Sequence, residues 1–141
     1  MVSRTDFTPD VLRPFGVSTI YKDMGPEGRV SIRRGGLSAT LTLAVLGGTQ
    51  ESHVHDTRDE VYGLEQGMMR IAMIDADGQL VIRDFRERGA FIIIPKKWPH
   101  KVALSAGAVI GTMSIGDDRD WLPAPQLDEI LSNQQGWLAP L

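Results

Sequence analysis

Hydrophobic and polar residues alternate along much of this chain with a period of two. The clearest case is 37–45, where Leu37, Ala39, Leu41, Leu43 and Val45 fall on one side and Ser38, Thr40, Thr42 and Ala44 on the other. Such alternation predicts a β-strand with two unlike faces. Shorter runs predict further strands over 29–33, 52–56, 60–66, 68–75, 79–85, 90–95, 100–105 and 108–116. Asp75-Ala76-Asp77-Gly78 is a hairpin signal, because Gly accepts the positive φ that tight turns need. Gly67, Gly89 and Gly107 mark other junctions. Many short strands joined by turns predict an all-β sandwich or barrel.

The two ends depart from this pattern. Residues 1–28 are broken by Pro9, Pro14, Gly16, Gly25, Pro26 and Gly28, which predicts an irregular arm with one strand candidate over 17–22. In the tail, Leu127, Ile130 and Leu131 share a helical face, Asp128 and Glu129 sit in a first turn, and Gly136 follows. This predicts a short amphipathic helix over 126–134. The expected organisation is an arm (1–28), a β-barrel (29–118) and a helical tail (119–141).

Composition narrows the function classes. A chain of 141 residues fits one domain with a core of its own. Net charge is −3, and the basic residues form no dense run, which argues against nucleic acid as the main partner. No cysteine is present, so disulfides, thiolate metal sites and a cysteine nucleophile are excluded. The N-terminal residues carry no apolar signal core, and no apolar run approaches the roughly 20 residues that cross a bilayer. The expectation is a cytoplasmic protein with no membrane partner.

The chain has three histidines, and all of them fall into one ligand pattern. His53 and His55 lie two apart, so a strand points both the same way. Glu60 opens the next strand past a short turn, and an antiparallel return brings it beside them. His100 follows the kinked turn Pro95-Lys96-Lys97-Trp98-Pro99. Three imidazoles and one carboxylate suit a first-row divalent ion with positions left open. The donor set does not choose among Fe, Mn, Zn, Ni and Co.

Gly47, His53, His55, Glu60 and Gly67, followed by Gly89, Pro95 and His100, resemble the two motifs of the cupin superfamily. The resemblance covers 47–104. It implies a double-stranded β-helix, or jelly-roll barrel, with the metal inside near one mouth. Its spacing selects Glu60 as the carboxylate ligand over Asp56 and Asp59. Two positions depart from the pattern: Lys97 stands where a glycine is usual, and Leu104 where an asparagine is frequent. The family spans oxygenases, decarboxylases, isomerases, lyases, cyclases, sugar-binding sensors and storage proteins, so it does not name a reaction. Resemblance to single-domain cupins also implies a homodimer, with the arm and 37–45 as interface candidates.

Strand alternation adds pocket candidates. Tyr62 follows Glu60 inward and is the nearest proton carrier. Val102 and Leu104 follow His100 as an apolar wall, and Trp98 flanks the mouth. Arg70 is a candidate for orienting a substrate carboxylate. Met68, Met69, Met73 and Met113 are read as core filler. No phosphate loop or serine elbow is present, and no histidine remains for a triad. The expected function is a metal-dependent enzyme on a small oxygen-bearing metabolite. In the leading reading the ion acts as a Lewis acid in isomerase, lyase or cyclase chemistry. The alternatives are an Fe(II)-dependent dioxygenase and a non-catalytic small-molecule or sugar binder.

Overall fold

A computed structural model describes residues 4–7, 19–24, 27–34, 37–44, 47–116 and 120–131. The strands are β1 (Arg4–Phe7), β2 (Thr19–Met24), β3 (Glu27–Arg34), β4 (Leu37–Ala44), β5 (Gly48–Thr49), β6 (His53–Val54), β7 (Glu60–Gln66), β8 (Met69–Ile74), β9 (Leu80–Phe85), β10 (Phe91–Ile94), β11 (His100–Leu104), β12 (Ala108–Ile115) and β13 (Leu122–Pro123). They form two antiparallel sheets. One has the order β1-β2-β3-β4-β12-β7-β10; the other runs β13-β6-β11-β8-β9, with β5 also on β11. Among the described residues no helix is long and apolar enough to cross a membrane.

The core lies between the sheets. Ala44, Tyr62, Leu64, Ile94, Ala108 and Ile110 come from the first sheet; Met69, Ile71, Met73, Val102 and Leu104 come from the second. The hairpin at 75–78 forms as predicted. Gly78 takes a φ of +78°, and the Asp75 carboxylate accepts the amides of Asp77 and Gln79 at 2.9 Å each. Gly47 and Gly67 have φ values of +74° and +80°, and an added Cβ would lie 2.7 Å from the Ala106 nitrogen or 2.8 Å from Ala108 Cα. Both motif glycines therefore hold places that no other residue fits.

Three expectations are corrected. In the segment read as an irregular arm, the strand candidate over 17–22 forms as β2, but a further strand, β1, was not expected; β1 pairs with β2 and β2 with β3, extending the first sheet. The amphipathic helix over 126–134 is a 3₁₀ turn at Pro125–Leu127 that continues as turns to Leu131; residues 132–134 lie outside the described residues. Leu131 takes a φ of +64°, which stops helical propagation. The apolar stripe is still used: Leu131 is buried against Ala72 and Ala103, with Ile130 packed beside them. Met68, Met69 and Met73 are buried, but Met113 is not core filler, because β12 turns it onto the outer face.

In β4 the polar side faces inward. Thr42 is 1% exposed and Ala44 is buried, while Leu37, Leu41 and Leu43 stay on the surface. Their row continues across the sheet. Leu41 lies opposite Gly111, Gly111 opposite Gly63, and Gly63 opposite Phe91. The neighbouring row is Ala39, Met113, Val61 and Ile93. A cavity of about 480 Å³ lies over the two side-chain-free glycines.

Candidate metal centre

Four side chains converge at one mouth of the barrel. His53 sits on β6, His55 just after it, Glu60 opens β7 and His100 opens β11. The pairing of His100 with His53 ties the two histidine-bearing strands together. One ligand atom from each of His53, His55, Glu60 and His100 lies within 4.8 Å of the others. Glu60 Oε1 is 3.0 Å from His100 Nε2 and 3.4 Å from His53 Nε2; Glu60 Oε2 is 3.3 Å from His55 Nε2. The His53 and Glu60 side chains are 12% and 13% exposed, whereas those of His55 and His100 are 3% and 1% exposed. The cluster therefore opens on the His53–Glu60 side.

The outer nitrogens decide what the inner ones can do. Nδ1–H of His53 donates to the Glu51 carbonyl at 3.0 Å, that of His100 to the Trp98 carbonyl at 3.0 Å, and that of His55 to the Asp120 carbonyl at 2.5 Å. A carbonyl only accepts, so each neutral ring carries its proton on Nδ1. Each Nε2 then presents a lone pair to a carboxylate that also has only lone pairs. His55 Nε2 is buried and has no hydrogen-bond partner. Protons would satisfy the set only by making the rings imidazolium, with His53 4.3 Å from His100 and 4.8 Å from His55 between ring centroids. A single divalent cation satisfies all four acceptors without that repulsion, and carbonyl-oriented imidazoles are the usual surroundings of such an ion.

The pKa directions agree with this crowding. Burial pushes the His100 pKa down. For His55 burial also works downward, but the Glu60 carboxylate and the Asp120 carbonyl outweigh it and the net shift is up. Burial alone would raise the Glu60 pKa, but the surrounding histidines hold its carboxyl far below the usual carboxylate range.

No known family matches the sequence as a whole, and no curated protein does either. Solved structures do match in shape. KdgF from Halomonas sp. aligns over 70% of this chain and 87% of its own, at 17% identity and a TM-score of 0.57. Oxalate decarboxylase from Bacillus subtilis aligns over 74% of this chain at 18% identity and a TM-score of 0.57. The oxalate decarboxylase from Lactobacillus farciminis aligns over 69% at 17% identity and a TM-score of 0.59. This chain spans only 28% and 31% of the two decarboxylases. The fold is that of the cupins.

Both departures from the cupin pattern have a local account. Lys97 keeps the conformation of the glycine it replaces, with a φ of +73°. Its ammonium pairs with Asp56 at 2.9 Å on the surface. Leu104 is fully buried in the core. Asp59 accepts the Lys96 amide at 2.8 Å, so neither Asp56 nor Asp59 joins the cluster.

The other sequence candidates divide. Tyr62 is buried with its ring centroid 5.7 Å from that of His100. Trp98 is half-buried and packs on the core beside the mouth. Val102 and Leu104 share the inward face with His100 but are 1% and 0% exposed, so they fill the barrel and leave no open wall for a substrate. Arg70, the candidate for a substrate carboxylate, is not brought to the cluster. It lies on the opposite face of β8 from Ile71 and Met73, with Nε 2.5 Å from Asp84 on the facing strand. Sequence reasoning missed Asp120, Trp121 and Arg58. Asp120 accepts the Asp56 and Thr57 amides at 2.8 Å each and the Thr57 hydroxyl at 2.7 Å. Burial works to raise the Asp120 pKa, but the Thr57 hydroxyl and these amides outweigh it and hold the carboxyl at about 2. Trp121 stacks on His53 with centroids 5.8 Å apart. None of the three stands in a recognisable motif.

Proposed function

We propose that this chain is a metal-dependent enzyme acting on a small metabolite that presents carbonyl, hydroxyl or carboxylate oxygens, in isomerase, lyase or cyclase chemistry. The observation that carries this reading is the convergence of four lone-pair donors, one of them a buried imidazole nitrogen without a partner. His53, His55, Glu60 and His100 would hold the ion. A divalent transition metal there supplies Lewis acidity toward a substrate oxygen.

The chain's own residues do the rest. Substrate approaches from the His53–Glu60 side, where Trp121 stacks on His53. Val102 and Leu104 fill the barrel below His100 and keep water from that side. Tyr62, packed against His100, carries the proton. Elemental analysis of protein purified without added metal tests the reading: one first-row transition ion per chain is expected, and none would overturn it. Zinc or manganese keeps the Lewis-acid chemistry. Iron, with oxygen uptake coupled to substrate loss, replaces it with a dioxygenase.

A homodimer belongs to the same reading. Leu37, Leu41, Leu43, Met113, Ile115, Phe91 and Ile93 are between 38% and 74% exposed and share one outer sheet face. Contiguous apolar surface of this kind marks an interaction site in soluble proteins. A monomeric mass in sedimentation at micromolar concentration would exclude it.

A further inference from the structure

Residues 120–124 lie outside both sequence motifs, yet they hold the segment that carries His53 and His55. Leu122 pairs with Val54 and Pro123 with His53, and the Ala124 amide donates to the Ser52 carbonyl at 3.1 Å. Asp120 acts twice. Its main-chain carbonyl takes the Nδ1–H of His55, and its carboxylate takes three donors from the turn at Asp56 and Thr57. One residue therefore fixes both the ring and the backbone next to it.

A second group contests the same ring nitrogen. Arg58 is buried, with its stem against Gly116 and its Nη1 donating to Ser114 Oγ at 3.0 Å. Its Nε–H points at His55 Nδ1 from 3.3 Å. The Asp120 carbonyl asks for a proton on Nδ1; the Arg58 N–H asks for a lone pair there. If Arg58 wins, the neutral ring carries its proton on Nε2, and a protonated Nε2 cannot bind a metal. The Asp120 carbonyl is in direct hydrogen-bond contact with the ring, whereas the Arg58 N–H stands at the outer limit of bonding distance, which favours Asp120.

We propose that Asp120 is a positioning residue that keeps His55 in its metal-binding tautomer against the competing N–H of Arg58. This rests on the metal-centre reading above. The carboxylate anchors the turn, the anchored turn keeps the carbonyl on Nδ1–H, and Nε2 stays free to ligate.

The test uses the whole chain, whose three histidines give a simple imidazole spectrum. Nitrogen-15 NMR at about pH 8.5, above the ordinary imidazole range, reports each tautomer directly. In wild type His55 is expected as Nδ1–H. In Asp120→Ala it should shift toward Nε2–H, and Co(II) affinity should fall by about 10–100-fold with unchanged circular dichroism. Adding Arg58→Met to Asp120→Ala should remove the competitor, restoring Nδ1–H and most of the Co(II) affinity. If the Arg58 variant does not fold, Thr57→Val loosens the same anchor and should shift the tautomer part-way. Wild-type tautomer and Co(II) affinity in Asp120→Ala would overturn the proposal. So would a folded double variant that stays as weak as Asp120→Ala. Failure of wild type to bind Co(II) would instead remove the metal centre, while the tautomer shift would still report the contest between Asp120 and Arg58.

Discussion

The backbone amide of Lys97 donates to the His55 carbonyl across 2.6 Å, and Lys97 makes this bond from the left-handed region. The turn before His100 is thereby tied to the residue that carries another ligand. A non-glycine residue pays about 1–2 kcal/mol for this conformation. Lys97→Gly keeps the amide and relieves the strain, partly offset by the greater freedom of glycine in the unfolded chain. Urea unfolding should show a gain of up to about 1 kcal/mol at unchanged slope. A loss would mean that the lysine side chain holds the turn.

Glu60 contributes the only negative charge of the four-residue cluster. Glu60→Gln should lower Co(II) or Zn(II) affinity by at least about 10-fold. Because bound metal stabilises only the folded state, a chelator should lower the melting temperature of wild type more than that of the variant. Equal chelator sensitivity in both would show that the metal sits elsewhere.

Tyr62 lies against His100 without being one of the four ligands. Tyr62→Phe should reduce turnover by about 10²–10⁴-fold, the usual contribution of a positioned proton carrier, while metal content stays near wild type. An unchanged rate removes Tyr62 from the mechanism.

The Arg70–Asp84 pair predicts a pH dependence away from the site. Arg70 holds the Asp84 carboxyl below its ordinary value of 3.8. Its contribution is therefore complete above that value and is lost as pH falls through the lower folded-state value. Asp84→Asn should destabilise the protein by at most about 1 kcal/mol at neutral pH, as expected for a partly exposed bidentate pair. The gap between the two unfolding curves should close in strong acid.

Leu41 and Ile115 belong to the bare sheet face, at 51% and 74% exposure. Leu41→Glu combined with Ile115→Glu should convert the proposed homodimer to a monomer in sedimentation and leave the far-ultraviolet spectrum unchanged. Retention of the dimer by the double variant would move the interface to another face.

The four-residue cluster was legible because its ligands obey local rules. His53 and His55 are two apart, Glu60 follows one short turn, and the glycine markers fix where the chain reverses. The polarity of β4 was not legible. Alternation reports that two faces differ, not which one turns inward, and here Thr42 is buried while Leu41 is not. The facing of Arg70 was not legible for the same reason, since its partner Asp84 comes from the next strand. The tail carried a correct apolar stripe, but Leu131 takes a backbone conformation that a periodicity argument does not register. Asp120 meets His55 across 65 positions with no spacing rule between them, so only coordinates reveal it.

His100 is separated from Glu60 by 40 positions, and Asp120 from His55 by 65. During synthesis His53, His55 and Glu60 leave the ribosome at least 40 positions ahead of His100. A nascent chain thus offers only part of the ligand set. On the metal-centre reading, the complete ligand set exists only once the barrel has closed around it.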